Sequence, residues 1–210
     1  MQRKSERRHR QGDASREAIL DAAMEIAAER GYDGTTVAAV TERSGLPASS
    51  IYWHFGNKDG LLAATLEHSY RQWRRSAPTW EKRVEPEDVT ERIESRLQRG
   101  AKALAQNPQF WGLGLMLTLE QRVKEPAARR LYMQVRADTE DAVAAWWLEV
   151  TGDAVDGGGP ELARRLARFY MMMMDGMFIQ VRGGAGRNPR RQVSLLSRGM
   201  AAYLTKQGVA

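Results

Sequence analysis

The residues best equipped for chemistry lie in one short stretch, and they are of the kind that binds phosphate and base edges. Ser49 and Ser50 supply hydroxyl groups, Tyr52 and His54 follow them closely, and Lys58 adds a positive charge. Hydroxyl, imidazole and ammonium groups of this kind hydrogen-bond to phosphate oxygens and to the edges of bases. Small residues at the start of a helix also allow its backbone to approach the major groove closely. The stretch therefore indicates contact with nucleic acid.

Two short helices joined by a turn are the elements that would position this set. Val37 to Arg43 forms the first helix, Ser44 to Pro47 forms the turn with its glycine, and Ala48 to Phe55 forms the second helix. Either Thr35 or Thr36 caps the first of them. Helix, short turn with glycine, helix is the geometry of the helix-turn-helix DNA reader.

A longer helix is predicted on each side of this pair. An apolar stripe of helical period begins at Ser15 and ends at Gly31, and Asn57 caps a fourth helix that runs to about Ser76. Gly60 inside this fourth helix replaces a better helix former, at an expected cost of about 1 kcal/mol.

Each of these residues also has a purely structural interpretation. Thr36 and Asn57 are preferred helix caps in any helical protein, and Tyr52 suits a half-buried position beside a core. Taken one at a time, the residues leave both interpretations open. Their order along the chain favours the functional interpretation.

This ordered set resembles the tetracycline-repressor (TetR/AcrR) family of bacterial regulators. The resemblance covers roughly residues 15–65, and its most specific part is a Tyr-x-x-Phe-x-Asn-Lys run. The matching residues are Gly31, Thr35-Thr36, Ser44-Gly45-Leu46-Pro47, Ile51-Tyr52-Trp53-His54-Phe55-Gly56-Asn57-Lys58 and Leu61-Leu62.

The resemblance implies roles for the individual residues. Thr36 would cap its helix and meet a phosphate, Ser49 and Ser50 would lie at the major groove, and Lys58 would bind phosphate. Tyr52 and His54 would contact the DNA backbone or a base. The full set implied is Thr35, Thr36, Ala48, Ser49, Ser50, Tyr52, His54 and Lys58. Because Ala48 and Val37 offer no group that reads bases, we expect specificity to rest on few contacts together with DNA shape.

The composition of the whole chain excludes several kinds of site. With no Cys among 210 residues, the chain has no disulfide, no thiolate metal site and no Cys nucleophile. His9, His54 and His68 are too scattered for a histidine-built metal centre. There is neither a Gly-rich phosphate-binding motif nor a pair of carboxylates on one helix face, so we expect no enzyme, no metal and no cofactor. The basic start leads into no apolar segment, and a cytoplasmic location is the expectation.

The net charge of +6 does not come from the predicted DNA-binding segment. Residues 1–62 contain nine Lys or Arg and nine Asp or Glu, whereas residues 63–210 contain 23 against 17. Within the neutral part, the residues up to Arg10 carry a net charge of +4. We expect residues 1–14 to form a disordered basic arm, which either reaches the neighbouring minor groove or stays solvated. Residues 15–62 are then the DNA-binding domain.

Residues 63–210 show helical periodicity and no convincing alternation of strand type. An all-α fold of about nine helices is predicted, in which a three-helix DNA-binding domain precedes a regulatory domain at 63–210. The last two helices, at about 160–182 and 189–206, each carry a long apolar stripe. The resemblance implies that they pair with the same helices of a second copy, and a homodimer would present two reading helices to a pseudo-palindromic operator.

Aromatic and methionine side chains beyond residue 65 are candidates to line an adaptable apolar ligand cavity, although such stripes are more often plain core. Asp175 is an acid embedded among methionines, and it either pairs with an arginine such as Arg136, Arg164 or Arg168 or selects a ligand. The candidate ligand-binding set is Trp73, Phe110, Trp111, Met116, Tyr132, Trp146, Trp147, Met174, Asp175 and Phe178.

The sequence thus predicts a ligand-responsive DNA-binding regulator, with repression as the commoner behaviour of the family it resembles. A small and mostly apolar effector would favour one tilt of the fourth helix and thereby change the affinity for DNA. A helical scaffold or protein-binding module, or a cofactor-free enzyme, are the alternatives. Residue types alone identify neither the effector nor the operator.

Overall fold

The apolar periods of the sequence correspond to nine α-helices in the part of the chain that the structure describes. The structure is a computed structural model and describes residues 2–76, 88–106, 108–119, 127–151, 159–183 and 189–208. In chain order the helices are α1 (Gln2–Gly34), α2 (Val37–Ser44), α3 (Ala48–Phe55), α4 (Lys58–Ser76), α5 (Val89–Gln106), α6 (Pro108–Leu119), α7 (Ala127–Thr151), α8 (Gly159–Arg182) and α9 (Pro189–Lys206). Helices are the only regular elements in these ranges, and the predicted all-α fold is confirmed.

Helix α1 differs from the prediction at its N-terminal end. The structure continues it back to Gln2, across residues for which the sequence predicts a disordered arm. The segment before Gly12 contains no proline and consists mostly of Arg, Lys, Glu and Gln, which are good helix formers. Burial of Ile19 and Leu20 anchors the helix further along. Since propagation from an anchored helix avoids the cost of nucleation, these residues extend it.

The predicted ends of the short helices are confirmed. Gly45 ends α2 in the left-handed conformation, at φ 69°, and its N–H donates to the carbonyl of Thr41 at 3.0 Å. A side chain at such a φ would clash with its own backbone, so the turn into α3 favours glycine. Gly56 ends α3, with its N–H donating to the carbonyl of Tyr52 at 2.9 Å.

The junction between α3 and α4 corrects the interpretation of Gly60. Asn57 caps α4 as predicted, because its Oδ1 accepts the N–H of Gly60 at 2.8 Å. An added methyl group at Gly60 would overlap the carbonyl oxygen of Phe55, at the end of α3. The glycine is therefore the residue that allows the two helices to follow each other this closely.

A small apolar core holds the first helices together. It is formed by the fully or almost fully buried side chains of Ile19, Leu20, Ala22, Ala23, Ile26, Val40, Ile51 and Leu61. At the surface, Arg43 of α2 binds Glu25 and Glu29 of α1, each at 3.0 Å. The core and this ion-pair cluster fix α2 and α3 against α1.

The chain divides into two compact units, and the division differs from the predicted boundary after residue 62. Unit 1 comprises Met1–Gln72 and Gln109–Gln134, and unit 2 comprises Trp73–Pro108 and Val135–Ala210. Unit 1 therefore contains most of α4, nearly all of α6 and the first part of α7 in addition to α1, α2 and α3. None of the described helices is long and apolar enough to span a membrane.

Unit 2 is built around α5, which packs against α8 and α9. Ile93, Leu97 and Leu104 supply its buried face. Gly100 lets the hydroxyl of Tyr170 lie against the backbone of α5, since an added methyl group there would contact this oxygen. Burial raises the pKa of Tyr170 well above its ordinary value, so the phenol stays protonated.

Candidate DNA-binding site

The start of α2 separates two neighbouring threonines of the predicted set. Thr36 is exposed, and its Oγ1 accepts the N–H of Ala39 at 3.1 Å, so it is the cap of α2. Thr35 is fully buried, and its hydroxyl donates to the carbonyl of Gly31 at 2.7 Å. Thr35, which the sequence analysis includes in the DNA-binding set, therefore has no exposed surface in this structure, and its hydroxyl already has an acceptor.

The start of α3 presents the small polar residues that the sequence predicts there. Pro47 occupies the cap position at φ −67° and makes no side-chain cap bond. Ser49 is exposed, and Ser50 and Ala48 are half-buried. The backbone N–H of Ser50 donates to the carbonyl of Pro47 at 2.9 Å. The exposed face at this end of α3 is thus small and polar, with Ser49 as its most accessible hydroxyl.

Two aromatic side chains project from the middle of α3. Tyr52 is 53% exposed and Trp53 is 78% exposed, so neither belongs to the core. Tyr52 was predicted as a DNA contact, whereas Trp53 was singled out only as part of the motif. An indole with so little burial gives the fold almost no stabilisation, so Trp53 is a further candidate for the site that the sequence analysis did not include. The apolar period of α3 could have indicated this exposure, because it turns Ile51 towards the core and Trp53 away from it.

His54 connects α3 to α1. Its Nε2 lies 3.0 Å from the Oγ of Ser15, and that hydroxyl donates its one proton to the carbonyl of Gly12 at 2.9 Å. The Ser15 hydroxyl is thus within hydrogen-bond distance of both the Gly12 carbonyl and the imidazole. Burial, followed by the positive charge of Arg16, lowers the pKa of His54 below its ordinary value of 6.5. The imidazole is neutral at neutral pH and holds α3 in place with its Nε2.

Lys58 lies at the first residue of α4 and packs against the end of α1. Its Nζ is 4.9 Å from the centre of the Tyr32 ring, and it donates to the carbonyl of Asp33 at 3.2 Å. The side chain is half-buried. These contacts place the ammonium group beside the N-terminal end of α4, where free N–H groups also favour an anion.

The candidate ligand-binding residues are divided between the two units. In unit 1, Phe110 and Tyr132 are fully buried, and their ring centres are 5.5 Å apart. Trp111 packs on both rings. Met116 is half-buried, with its sulfur near Gly31. The three aromatic rings pack directly on one another, as expected if these residues form part of the apolar core and do not line a cavity.

In unit 2, the other candidates are also buried. They are Trp73, Trp146, Trp147, Met174 and Phe178, none of which is more than 8% exposed. The N–H of Trp147 is buried and finds no acceptor among the described residues. Asp175 forms a two-pronged ion pair with Arg136, with oxygen–nitrogen distances of 2.9 and 2.8 Å. The sequence left two roles open for Asp175, pairing with an arginine or selecting a ligand. The observed geometry is that of pairing with an arginine.

An apolar groove in unit 2 contains none of the ten predicted ligand-binding residues. It lies between α8 and α9 and has a volume of about 1000 Å³. Its lining includes Met172, which is 62% exposed, and Leu195, which is 76% exposed. Met171 and Met174 point into the core while Met172 faces out, as expected for consecutive residues of a helix.

This combination of fold and candidate site is typical of helix-turn-helix DNA-binding regulators, and comparison with known proteins shows which family the chain resembles. Residues 19–65 match the family model for bacterial regulatory proteins of the tetR family. The chain is 26% identical over 171 residues to the HTH-type transcriptional regulator BetI of Burkholderia thailandensis, and this match covers 79% of the chain and 80% of that protein.

Solved structures show the same fold. A transcriptional regulator from Rhodococcus sp. superimposes with a TM-score of 0.68 at 14% identity, covering 91% of this chain and 96% of that one. A putative tetR-type transcriptional regulator from Streptomyces avermitilis superimposes with a TM-score of 0.63 at 25% identity, covering 93% and 99%. The chain thus carries a segment, residues 19–65, that matches the tetR family of bacterial regulatory proteins, and most of its length is similar to transcriptional regulators.

Proposed function

We propose that this regulator is a repressor that binds a pseudo-palindromic operator as a homodimer and leaves it when a small effector binds. The observation that carries the proposal is the outward face of α3, where Ser49, Tyr52 and Trp53 are exposed although two of them are large aromatic residues. Such side chains on a short, rigidly held helix suit contact with a DNA groove. Thr36 and Lys58 flank this face in sequence and supply phosphate contacts, and the operator DNA implies a cytoplasmic location.

His54 has a supporting role in this proposal. Its Nε2 is already bonded to Ser15, and its ring carries no charge at neutral pH because its pKa is lowered. We assign it to holding α3 against α1, so that Tyr52 and Ser49 meet DNA in a fixed orientation. The basic residues before Gly12 add positive charge along α1, and their contribution to DNA binding is part of the same proposal.

The DNA-binding part is tested by selecting bound sites from a random DNA library and measuring the affinity for the selected site against salt concentration. Lys58→Ala is expected to reduce the slope of log affinity against log salt by about 1 per protomer. The matched control is Lys102→Ala, which removes an exposed lysine of α5. Failure of the unaltered protein to bind any site in a salt-sensitive manner would favour the scaffold alternative.

The second copy is proposed to cover the groove between α8 and α9. Exposed methionine and leucine side chains in one contiguous apolar groove are typical of a surface that a partner covers. A second copy supplies the same two helices, and two-fold symmetry then places apolar stripe against apolar stripe. It also supplies the second reading helix that a pseudo-palindromic operator needs.

The dimer is tested by sedimentation of Leu195→Glu, which places a charge in the groove. Because Leu195 is 76% exposed in the single chain, the variant is expected to keep its helical content and to sediment as a monomer. Leu119→Glu is the control, since Leu119 is 79% exposed and lies in unit 1. A Leu195→Glu protein that remains a dimer would overturn this assignment.

The effector is proposed to be small and mostly apolar, with one hydrogen-bond acceptor. The N–H of Trp147, which has no acceptor among the described residues, supports this, because a buried donor without an acceptor is costly and a ligand oxygen would satisfy it. Compounds that release the protein from its selected site are to be compared on the unaltered protein and on Trp147→Phe, which keeps the bulk of the ring and removes the donor. We expect the variant to need about tenfold more compound, in line with one lost hydrogen bond. Equal responses would exclude Trp147 from the effector site.

A further inference from the structure

Asp59, in the first turn of α4, connects three helices of unit 1 through one carboxylate. Its two oxygens both lie 3.2 Å from the backbone nitrogen of Ala127, the first residue of α7, and accept that N–H. The hydroxyl of Tyr32, near the end of α1, donates to the Oδ1 of Asp59 at 3.4 Å. We call Asp59, Tyr32 and Ala127 together the α7 clamp.

The charge of Asp59 matches a need of α7. The first N–H groups of a helix have no acceptor within it, and the helix dipole makes this end positive. The first turn of α7 contains no acidic residue, and it carries Arg129 and Arg130. Among the described residues, Asp59 of α4 places a negative charge at the start of α7.

The clamp also reaches the residue proposed to bind operator phosphate. Tyr32 contacts Asp59 through its hydroxyl and Lys58 through the face of its ring, at 4.9 Å from Nζ to the ring centre. Lys58 and Asp59 are neighbours in sequence at the start of α4. Any shift of Tyr32 therefore changes its contacts with the ammonium group of Lys58 and with the carboxylate of Asp59, which bonds to α7.

We propose that Asp59 is a positioning residue that couples phosphate binding at Lys58 to the start of α7; the inference rests on the proposed DNA-binding function. Helix α7 is continuous from Ala127 to Thr151, so it begins in unit 1 and ends in unit 2. A displacement of the first N–H of α7 acts on Asp59 and Tyr32, and through them on Lys58. Because coupling between two sites is reciprocal, DNA at Lys58 must in turn stabilise the contact at Ala127.

The test is hydrogen exchange of the first-turn amides of α7 in the full chain, measured with and without the selected operator DNA. In the unaltered protein, DNA is expected to slow this exchange by about fivefold or more. Asp59→Ala is expected to speed exchange in the free protein and to remove the response to DNA. Asp59→Asn keeps one acceptor oxygen and is expected to restore part of the protection.

Tyr32→Phe separates the coupling from a merely structural role. It keeps the ring beneath Lys58 and removes the hydroxyl that bonds to Asp59. We expect exchange at α7 in the free protein to stay close to that of the unaltered protein, while the slowing by DNA is lost. Glu67→Ala, at an exposed acidic residue of α4, is the control and is expected to retain the full response.

Two outcomes have different meanings. If the unaltered protein binds its selected DNA and the exchange of α7 does not change, the coupling is overturned and the proposed function stands. If no DNA is bound at all, the proposed function fails and the coupling fails with it. A Tyr32→Phe protein that shows the full DNA response would likewise exclude the path through Tyr32.

Discussion

For the substitution Gly60→Ala, the contacts in this structure and helix propensity alone predict opposite changes in stability. Gly60 lies inside α4, and alanine at an ordinary helical position is more stable than glycine by about 1 kcal/mol. Propensity therefore predicts a more stable variant. In the structure, however, the added methyl group would overlap the carbonyl oxygen of Phe55. This oxygen belongs to the backbone and cannot turn away as a flexible side chain would.

The expected magnitude follows from three effects. Forcing an extra methyl group into a filled position costs about 2 kcal/mol, within the usual range for overpacking. Moving the start of α4 away from Phe55 disturbs the bond from the N–H of Gly60 to Asn57, and loss of a helix cap costs about 1 kcal/mol. The propensity gain of alanine offsets about 1 kcal/mol. We expect the free energy of unfolding to fall by about 2 kcal/mol.

The assay is equilibrium urea unfolding, compared through the midpoint at constant slope. Gly12→Ala is the matched control, because Gly12 lies within α1 and nothing is within 4 Å of an added methyl group. This control is expected to be as stable as the unaltered protein or slightly more stable. If Gly60→Ala, like the control, is more stable than the unaltered protein, the close approach of α3 and α4 does not exist in solution. Gly60 would then simply destabilise α4, as helix propensity predicts.

Three further predictions concern single contacts. Asp175→Asn removes the charge that pairs with Arg136, whose side chain, like that of Asp175, is 21% exposed. We expect the free energy of unfolding in urea to fall by about 1–3 kcal/mol, with unchanged DNA affinity. Unchanged stability would contradict the structural role. Thr35→Val is expected to lower the melting temperature and leave DNA affinity intact, whereas Thr36→Val also weakens DNA binding; an equal loss of affinity in both would refute the separation of the two threonines. Because the pKa of His54 is lowered, the unfolded chain binds a proton more readily than the folded one, so stability falls as pH drops below 6.5. In urea unfolding at several pH values, the free energy of unfolding of His54→Gln should fall less steeply with decreasing pH. An identical pH dependence in both proteins would exclude His54 as the source of this fall.

The helices were largely predictable because their signals are local. Thr36, Gly45, Gly56 and Asn57 cap or end helices through contacts within four residues, so their effect is readable from spacing. The start of α1 differs from the predicted arm for a related reason. Composition indicated a solvated arm, but extension of a helix depends on what anchors it further along, and that anchor is the burial of Ile19 and Leu20.

The stretch of chain that carries the candidate site could be read from the motif, whereas the surroundings of its residues could not. Thr35 and Thr36 have the same side chain, and only the direction of the chain at the start of α2 turns one hydroxyl to Gly31 and leaves the other exposed. The exposure of Trp53 and the bond from His54 to Ser15 depend on how α3 lies against α1. Residue type carries no information about such packing.

The helical class, the helix-turn-helix and the resemblance to the tetR family could be read from the residues alone, because they follow from apolar period, caps and a motif within one stretch of chain. Tertiary structure alone decided that Asp175 pairs with Arg136, that Gly60 is required by the carbonyl of Phe55, and that Asp59 holds the first N–H of α7. The pairs Asp175–Arg136 and Asp59–Ala127 join residues far apart in sequence, and Gly60 lies against the end of the preceding helix. Side-chain charge and size allow many partners for such residues, and the packing of one helix on another selects the one that is found.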